Sequence, residues 1–277
     1  MRTPSWFRAA ALGLLALLPL GSSAQVSRLG LSNMIPDFDE AVIRTSFGVG
    51  FAPDFEGSAD YDPIPILSVR AEFERYRVEV NGLSGGVDVS PFKGWEFGPA
   101  FGFRFGRDDD VDNDVVSLLR EIDEAFELGF FVGYKLSPKL LEKDLVAFRA
   151  TFLHDVTSVH SGFTVGLGAT YSFQALRMLR VGLGPTANFA DGDYFDTFFS
   201  VDAGDAARSG LPAFDADGGL RDVGFNSTAT FFYSRKWSIT AFVSYRRLVG
   251  DASDTPIVDL EGSPNQVTSG LTASYRW

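Results

Sequence analysis

Apolar and small or polar residues alternate from Gly94 to Gly106. Trp95, Phe97, Pro99, Phe101, Phe103 and Phe105 share one face, and Glu96, Gly98, Ala100, Gly102 and Arg104 share the other. A period of two means a strand, and this one is longer than the five or six residues usual in soluble sheets. The same alternation recurs. Phe126, Leu128, Phe130, Val132, Tyr134 and Leu136 stand against Glu127, Gly129, Phe131, Gly133 and Lys135. Two further strands follow at Phe163–Phe173 and Leu179–Phe189, and one at Trp237–Tyr245, where Phe242 interrupts the polar face. The last residues, TSGLTASYRW, keep the alternation to Trp277.

In a soluble sandwich the apolar face meets a second sheet. In an outer-membrane barrel it meets lipid, with segments of about ten residues and aromatic ends. Strand length and aromatic ends favour the barrel. The pattern predicts strands at 41–51, 64–73, 75–81, 85–90, 94–106, 125–137, 144–154, 161–173, 177–190, 221–234, 237–248 and 267–277. The expected fold is all-β: a transmembrane, antiparallel, up-and-down β-barrel of about twelve strands. Ten is the alternative if 75–90 is miscounted. Links 52–63, 107–124, 191–220 and 249–266 are long, and alternation places all four outside. They hold 23 of the chain's 36 carboxylates, which frees the strands to face hydrocarbon.

The N-terminus supports export. Arg2 and Arg8 precede an apolar run from Ala9 to Leu20, and Ser22-Ser23-Ala24 supplies small residues for cleavage. The expected organisation is a signal peptide (1–24), a short periplasmic segment (25–40) and the barrel (41–277). The chain has no cysteine, so neither disulfides nor thiolate chemistry contribute. A formal net charge of −12 argues against nucleic acid, whose phosphates need clustered cations.

Candidate chemistry is sparse. The paired glycines Gly48/Gly50, Gly166/Gly168 and Gly182/Gly184 precede no helix and read as small lumen-facing residues. Asp110, Asp112, Asp114 and Glu121 fall at positions 1, 3, 5 and 12 of a calcium loop, but Val115 replaces the glycine that its turn requires. The acidic run therefore reads as a solvated loop, with weak bridging of divalent cations the alternative. His154 and His160 sit at or near strand ends and could serve a rim hydrolase only beside a nucleophile, which spacing does not supply. Arg70, Glu72, Arg77, Glu79, Glu96, Arg104, Glu127, Lys135, Arg149 and Arg246 face inward, where they line a pore or pair across it. No metal site, catalytic set or cofactor is expected.

Four blocks carry a resemblance to the MipA/OmpV family of outer-membrane proteins. GVGFAPDFEGSADYDPIPILSV (48–69) resembles its Pro-x-aromatic-Glu-Gly-Ser segment, through Pro53, Glu56, Gly57, Ser58 and Tyr61. GWEFGPAFGFRFGRDDD (94–110) resembles a second block, through Trp95, Gly98, Pro99, Arg104, Gly106, Arg107 and Asp108. IDEAFELGFFVGY (122–134) and SGLPAFDADGGLRDVG (209–224) follow in the same order. The resemblance implies an outer-membrane barrel of a Gram-negative cell, with no enzymatic activity established for the family. It also implies a scaffold linking a lytic transglycosylase to a penicillin-binding murein synthase. The expected surroundings are outer-membrane lipid and lipopolysaccharide. Tyr275 and Trp277 would form a terminal aromatic signal for the barrel-assembly machinery. The alternatives are a small-solute channel and, more remotely, a rim hydrolase.

Overall fold

The computed structural model describes residues 42–277; the expected signal peptide and the segment 25–40 lie outside them. Twelve antiparallel strands close into one barrel. They are β1 (Val42–Pro53), β2 (Tyr61–Glu72), β3 (Arg77–Asn81), β4 (Ser84–Asp88), β5 (Trp95–Arg104), β6 (Ala125–Leu136), β7 (Leu145–Asp155), β8 (Phe163–Leu176), β9 (Leu179–Ala190), β10 (Gly219–Phe232), β11 (Trp237–Leu248) and β12 (Asn265–Arg276). All twelve expected strands are present, and the hairpin within 75–90 is two real strands. β12 pairs with β1 from Arg44↔Arg276 to Phe51↔Ser269, so the first and last strands close the ring on each other. Twelve residues at about 3.3 Å each, tilted about 40°, rise roughly 30 Å, enough for a hydrocarbon band of about 25 Å.

Alternation sets the two faces. Phe47, Val49, Phe51, Leu128, Phe130, Leu167, Val243 and Leu271 are exposed on the outside. Trp95 packs on Tyr134, and Tyr275 on both Trp237 and Trp277, at ring separations of 5.0, 4.8 and 4.9 Å. These amphipathic rings form a girdle at the periplasmic rim.

The outer links are not the plain loops expected from their acidity. They contain α1 (Gly192–Phe198), α2 (Ala203–Ser209), α3 (Asp251–Asp254) and α4 (Pro256–Asp259), and a 3₁₀ turn at Val116–Leu118. Asp191 and Asp202 start the first two helices, each side chain accepting a backbone N–H three residues on. The links share a core. One cluster contains Ile122, Tyr194, Phe195, Phe198, Phe199, Leu248, Ala252 and Val258; another contains Phe55, Val116, Leu119, Val201, Leu211 and Ile257. Most acidic residues of the links face water, with Asp205 buried against Arg120 and Arg208, while these side chains knit the links into a cap over the outer mouth. Burial of a side chain of this size stabilises by about 1.5–3 kcal/mol, so the cap is a folded layer.

Candidate functional site

The lumen holds two charged networks separated by a belt of small and hydroxylated residues. The periplasmic network is carried by strands alone. Arg70 pairs with Glu72 at 2.7 Å and Glu79 at 2.9 Å, and Arg77 with Asp88 at 3.2 Å. Arg77 and Lys135 both reach Glu96, the latter at 2.5 Å. Arg149 lies over the Phe131 ring, 3.7 Å from its centroid. Alternation had placed all these charges except Asp88 inside, and pairing within and across strands satisfies the carboxylates.

The outer network joins the wall to the cap. Glu56, between β1 and β2, meets Arg221 Nε at 3.2 Å and accepts the Tyr194 hydroxyl at 2.5 Å. Arg221 donates to Tyr194 Oη at 2.8 Å and to Asp222 Oδ2 at 2.9 Å. Asn188 donates to Asp222 at 2.6 Å. A register shift between Leu220 and Asp222 brings both Arg221 and Asp222 to the buried side, which plain alternation forbids for neighbours. Arg104 binds both Glu127 oxygens and lies over the Tyr194 ring at 4.8 Å. His160 donates from Nε2 to Glu127 at 3.1 Å while its Nδ1 accepts the Gly162 N–H.

Electrostatics fit a permanent joint. Burial pushes the Glu56 carboxyl up, but the guanidiniums of Arg221, Arg104 and Arg246 and the Tyr194 hydroxyl outweigh it and hold the group below its ordinary value. Burial pushes the Tyr194 hydroxyl well above its ordinary value. Two residues from Glu56, Asp54 behaves oppositely. Burial, with Asp62 and Asp112 alongside, pushes its carboxyl up to about 6.

The family-block residues fall into this joint and around it. Pro53 ends β1. Gly57 has φ +100° and comes so close to the cap that a Cβ there would lie 2.5 Å from Val258 Cγ2. Its N–H donates to Gln266, which also binds the Ser58 carbonyl. Tyr61 Oη accepts the Val267 N–H. Arg104 is in the network, and Gly106 lies against the Ile122 carbonyl. Arg107 is buried and bonded through its backbone to Ile122. Asp108 accepts the Asp110 N–H. Trp95 belongs to the lower girdle, Gly98 lies against Val87, and Pro99 faces outward.

Other sequence candidates are not assembled into sites. Asp110, Asp112, Asp114 and Glu121 do not converge, and among the described residues no three acidic, histidine or cysteine side chains group for a metal. His154 Nδ1 lies 2.9 Å from the Gly162 carbonyl, on the outer wall. Sequence reasoning missed Tyr194, Arg221 and Asp222. The aromatic run in YFDTFF (194–199), inside an otherwise acidic link, was the available signal that the link folds.

The model of the family described as MltA-interacting protein MipA matches residues 46–277. The chain belongs to the MipA family. It is 29% identical over 130 residues to the outer membrane protein Omp26La of Vibrio anguillarum, a match covering 46% of this chain and 47% of that protein. The match thus spans about half the length of that relative. An outer membrane channel from Pseudomonas putida F1 superposes with a TM-score of 0.50 at 11% identity, covering 88% of this chain and 100% of that one. The CymD monoaromatic hydrocarbon channel gives a TM-score of 0.42 at 11% identity, covering 88% and 90%. This MipA-family chain is an outer-membrane β-barrel.

Proposed function

We propose that this protein is a non-enzymatic, small-solute channel whose outer mouth is held closed by its folded cap. The carrying observation is the belt between the two networks, where lumen-facing Thr170 and Thr228 remain exposed among Gly166, Gly168, Thr186 and Ser244. A barrel filled for stability alone would bury such positions under apolar side chains. The solved barrel of similar architecture is itself described as a channel, which agrees with the reading. Engagement of both His160 ring nitrogens in the joint supports a structural role for that residue rather than catalysis.

The test is conductance in planar bilayers. A Cβ on Gly218 would lie 2.5 Å from the Asp191–Gly192 backbone, so the two ends of the α1–α2 link are adjacent. Joining Gly192 directly to Asp217 therefore removes α1 and α2, with Tyr194 and the aromatic core of the cap, and leaves a short turn. The intact protein is expected to be nearly silent and the shortened one to conduct. A shortened barrel that folds and stays silent overturns the channel.

A second reading, the scaffold for murein enzymes, has one observation in its favour. The periplasmic turn between β6 and β7 presents Leu140, 76% exposed, and Leu141, 50% exposed. Asp144 fixes this turn by accepting the N–H groups of Lys139, Leu140 and Leu141. An ordered apolar pair offered to the periplasm suits a protein partner such as a lytic transglycosylase or a penicillin-binding synthase. Leu140→Ser with Leu141→Ser should abolish recovery of such an enzyme by pull-down; unchanged recovery rejects this surface.

A further inference from the structure

The wall of the barrel is incomplete on its outer half. β3 and β4 have five residues each, while β2 and β5 beside them have twelve and ten. β2 pairs with β3 only over Ser68–Glu72, whereas it pairs with β1 along its whole length. The hairpin turns at Gly82 (φ +57°) and Leu83, half-way up the wall. There, Gly82 N–H bonds the Leu67 carbonyl and Phe103 N–H bonds the Leu83 carbonyl, each at 2.8 Å. Three inter-strand spacings of about 4.8 Å separate β2 from β5 by roughly 14 Å at that level. Above it, the segment after β5 crosses back, with Asp112 N–H on Asp54 Oδ2 at 3.1 Å. The result is a window with β2 on one side, the residues that follow β5 up to the Arg107–Ile122 bridge on the other, a hairpin below and a strap above.

The chemistry of its edge is specific. Successive strand residues direct their backbone groups to alternate sides. Leu67 points its carbonyl to the hairpin, so Tyr61, Pro63 and Pro65 point theirs the same way, into the window. Proline has no N–H, and an unpaired edge is where a strand tolerates it. Two of the three donors that would stand bare are thus missing from the chain. Outside the window Tyr61, Leu67, Leu83 and Phe105 are exposed, all apolar or aromatic. On the lumen side stand Ile64 and Ile66. The Ile66 Cδ1 and Phe242 Cε1 atoms both lie within 2.8 Å of where a Cβ on Gly270 would be, so the two side chains meet over that glycine. An apolar patch therefore leads from a polar lumen to an apolar exterior.

We infer that this window is a lateral exit connecting the lumen with the hydrocarbon of the outer leaflet, passing small, uncharged, largely apolar molecules. The inference rests on the channel reading and names its route and solute class. The cap blocks the axial route, so a solute in the belt has the window before it. A charged solute would leave its water to enter hydrocarbon, whereas an apolar one gains by the same step.

The absence of cysteine makes single-cysteine labelling clean. A fluorophore on Ile66→Cys, inside the lumen, should be quenched by phospholipids carrying a mid-chain nitroxide about threefold more than one on Thr228→Cys, inside the closed wall, because lipid cannot enter through a fully paired sheet. Equal quenching overturns the window. Pro63→Ala with Pro65→Ala supplies a second, signed test. On an open edge in lipid the new donors are orphans and the urea midpoint falls; on a sealed wall they complete ladder bonds. An unchanged or raised midpoint overturns the window. For the solute class, N-phenyl-1-naphthylamine dissolved in the bilayer should slow maleimide labelling of Ile66→Cys, and glucose should not. Protection by glucose alone overturns the class. Quenching at Ile66 with a silent shortened barrel defeats the channel and leaves the window; conduction without that quenching does the reverse.

Discussion

The two charged networks of the lumen differ in origin and in what each holds. The ion pairs of the periplasmic network sit on five neighbouring strands, β2 to β6, and most of their side chains keep contact with water: Arg77 is 24% exposed, Lys135 29% and Glu72 47%, around a buried Glu96. The outer network is assembled from a loop, a helix, a bulge and three strands, and is nearly dry: Arg221 is 7% exposed and Asp222 fully buried. Charges that remain wet are screened and lose little when one partner is removed. Charges that are dry depend on every partner, since an abandoned one stays buried. The lower network thus stays wet along the inner wall, and the upper one holds the cap to the barrel.

That contrast can be broken from its strong side first. Arg221→Leu leaves Glu56 and Asp222 with only the more distant Arg246, 3.9 Å from each, between them. We expect a loss of about 3–5 kcal/mol in urea unfolding, with cap release appearing as conductance. A loss below that of any periplasmic substitution would refute the asymmetry. Gly57→Ala comes next. It forces a methyl toward Val258 from a left-handed backbone, at about 1–3 kcal/mol. Limited proteolysis of the links 107–124 and 191–220 should accelerate while the barrel persists. In the lower network, Glu72→Gln loosens Arg70, but Arg70 retains Glu79. The expected cost is within about 1 kcal/mol and shrinks with added salt.

The smallest effect is a pH dependence at the strap. Asp54 is raised in the folded protein, so ionising it opposes folding. Its neutral form favours the docked strap below about pH 4, and that advantage is lost as pH rises through about 6. Glu56 has the opposite sign: its contribution is present above the ordinary glutamate value and is lost as pH falls through its lowered one. Exchange of the Ser117 amide, which is bonded to the Asn113 carbonyl in the same segment and not to Asp54, should therefore quicken between pH 5 and about 7 in the native protein. In Asp54→Asn it should stay flat after correction for intrinsic exchange; a persisting rise would assign the titration elsewhere.

Much of this was legible in the residues, and for a physical reason. A membrane strand must bury one face in lipid, so alternation over 95–104, 125–136 and 163–176 reports both its existence and its orientation. The same rule gave the inward set from Arg70 to Arg246, and with it the periplasmic network apart from Asp88. The joint was less legible. Glu56 and Gly57 stood out only through family resemblance, which says that a position matters without saying what it touches, and alternation turned Arg104 inward without naming its partners. Tyr194 lay in a link read only as long and acidic, because its carboxylates outnumber its aromatics and a helix of seven residues leaves little periodicity. Arg221 was hidden by the bulge, where an extra residue breaks the alternation that identifies its neighbours.

By itself, then, the sequence determined a closed twelve-stranded antiparallel barrel, its two faces and the side on which its long links lie, because each of these follows from the local requirement that backbone be paired and side chains sorted between lipid and lumen. The tertiary structure alone decided that the links fold into a cap, that Arg221 bolts it through Glu56 and Tyr194, and that the edge of Pro63 and Pro65 stands open. Those depend on which residues meet across more than a hundred positions of chain, and contact at that distance leaves no period to read.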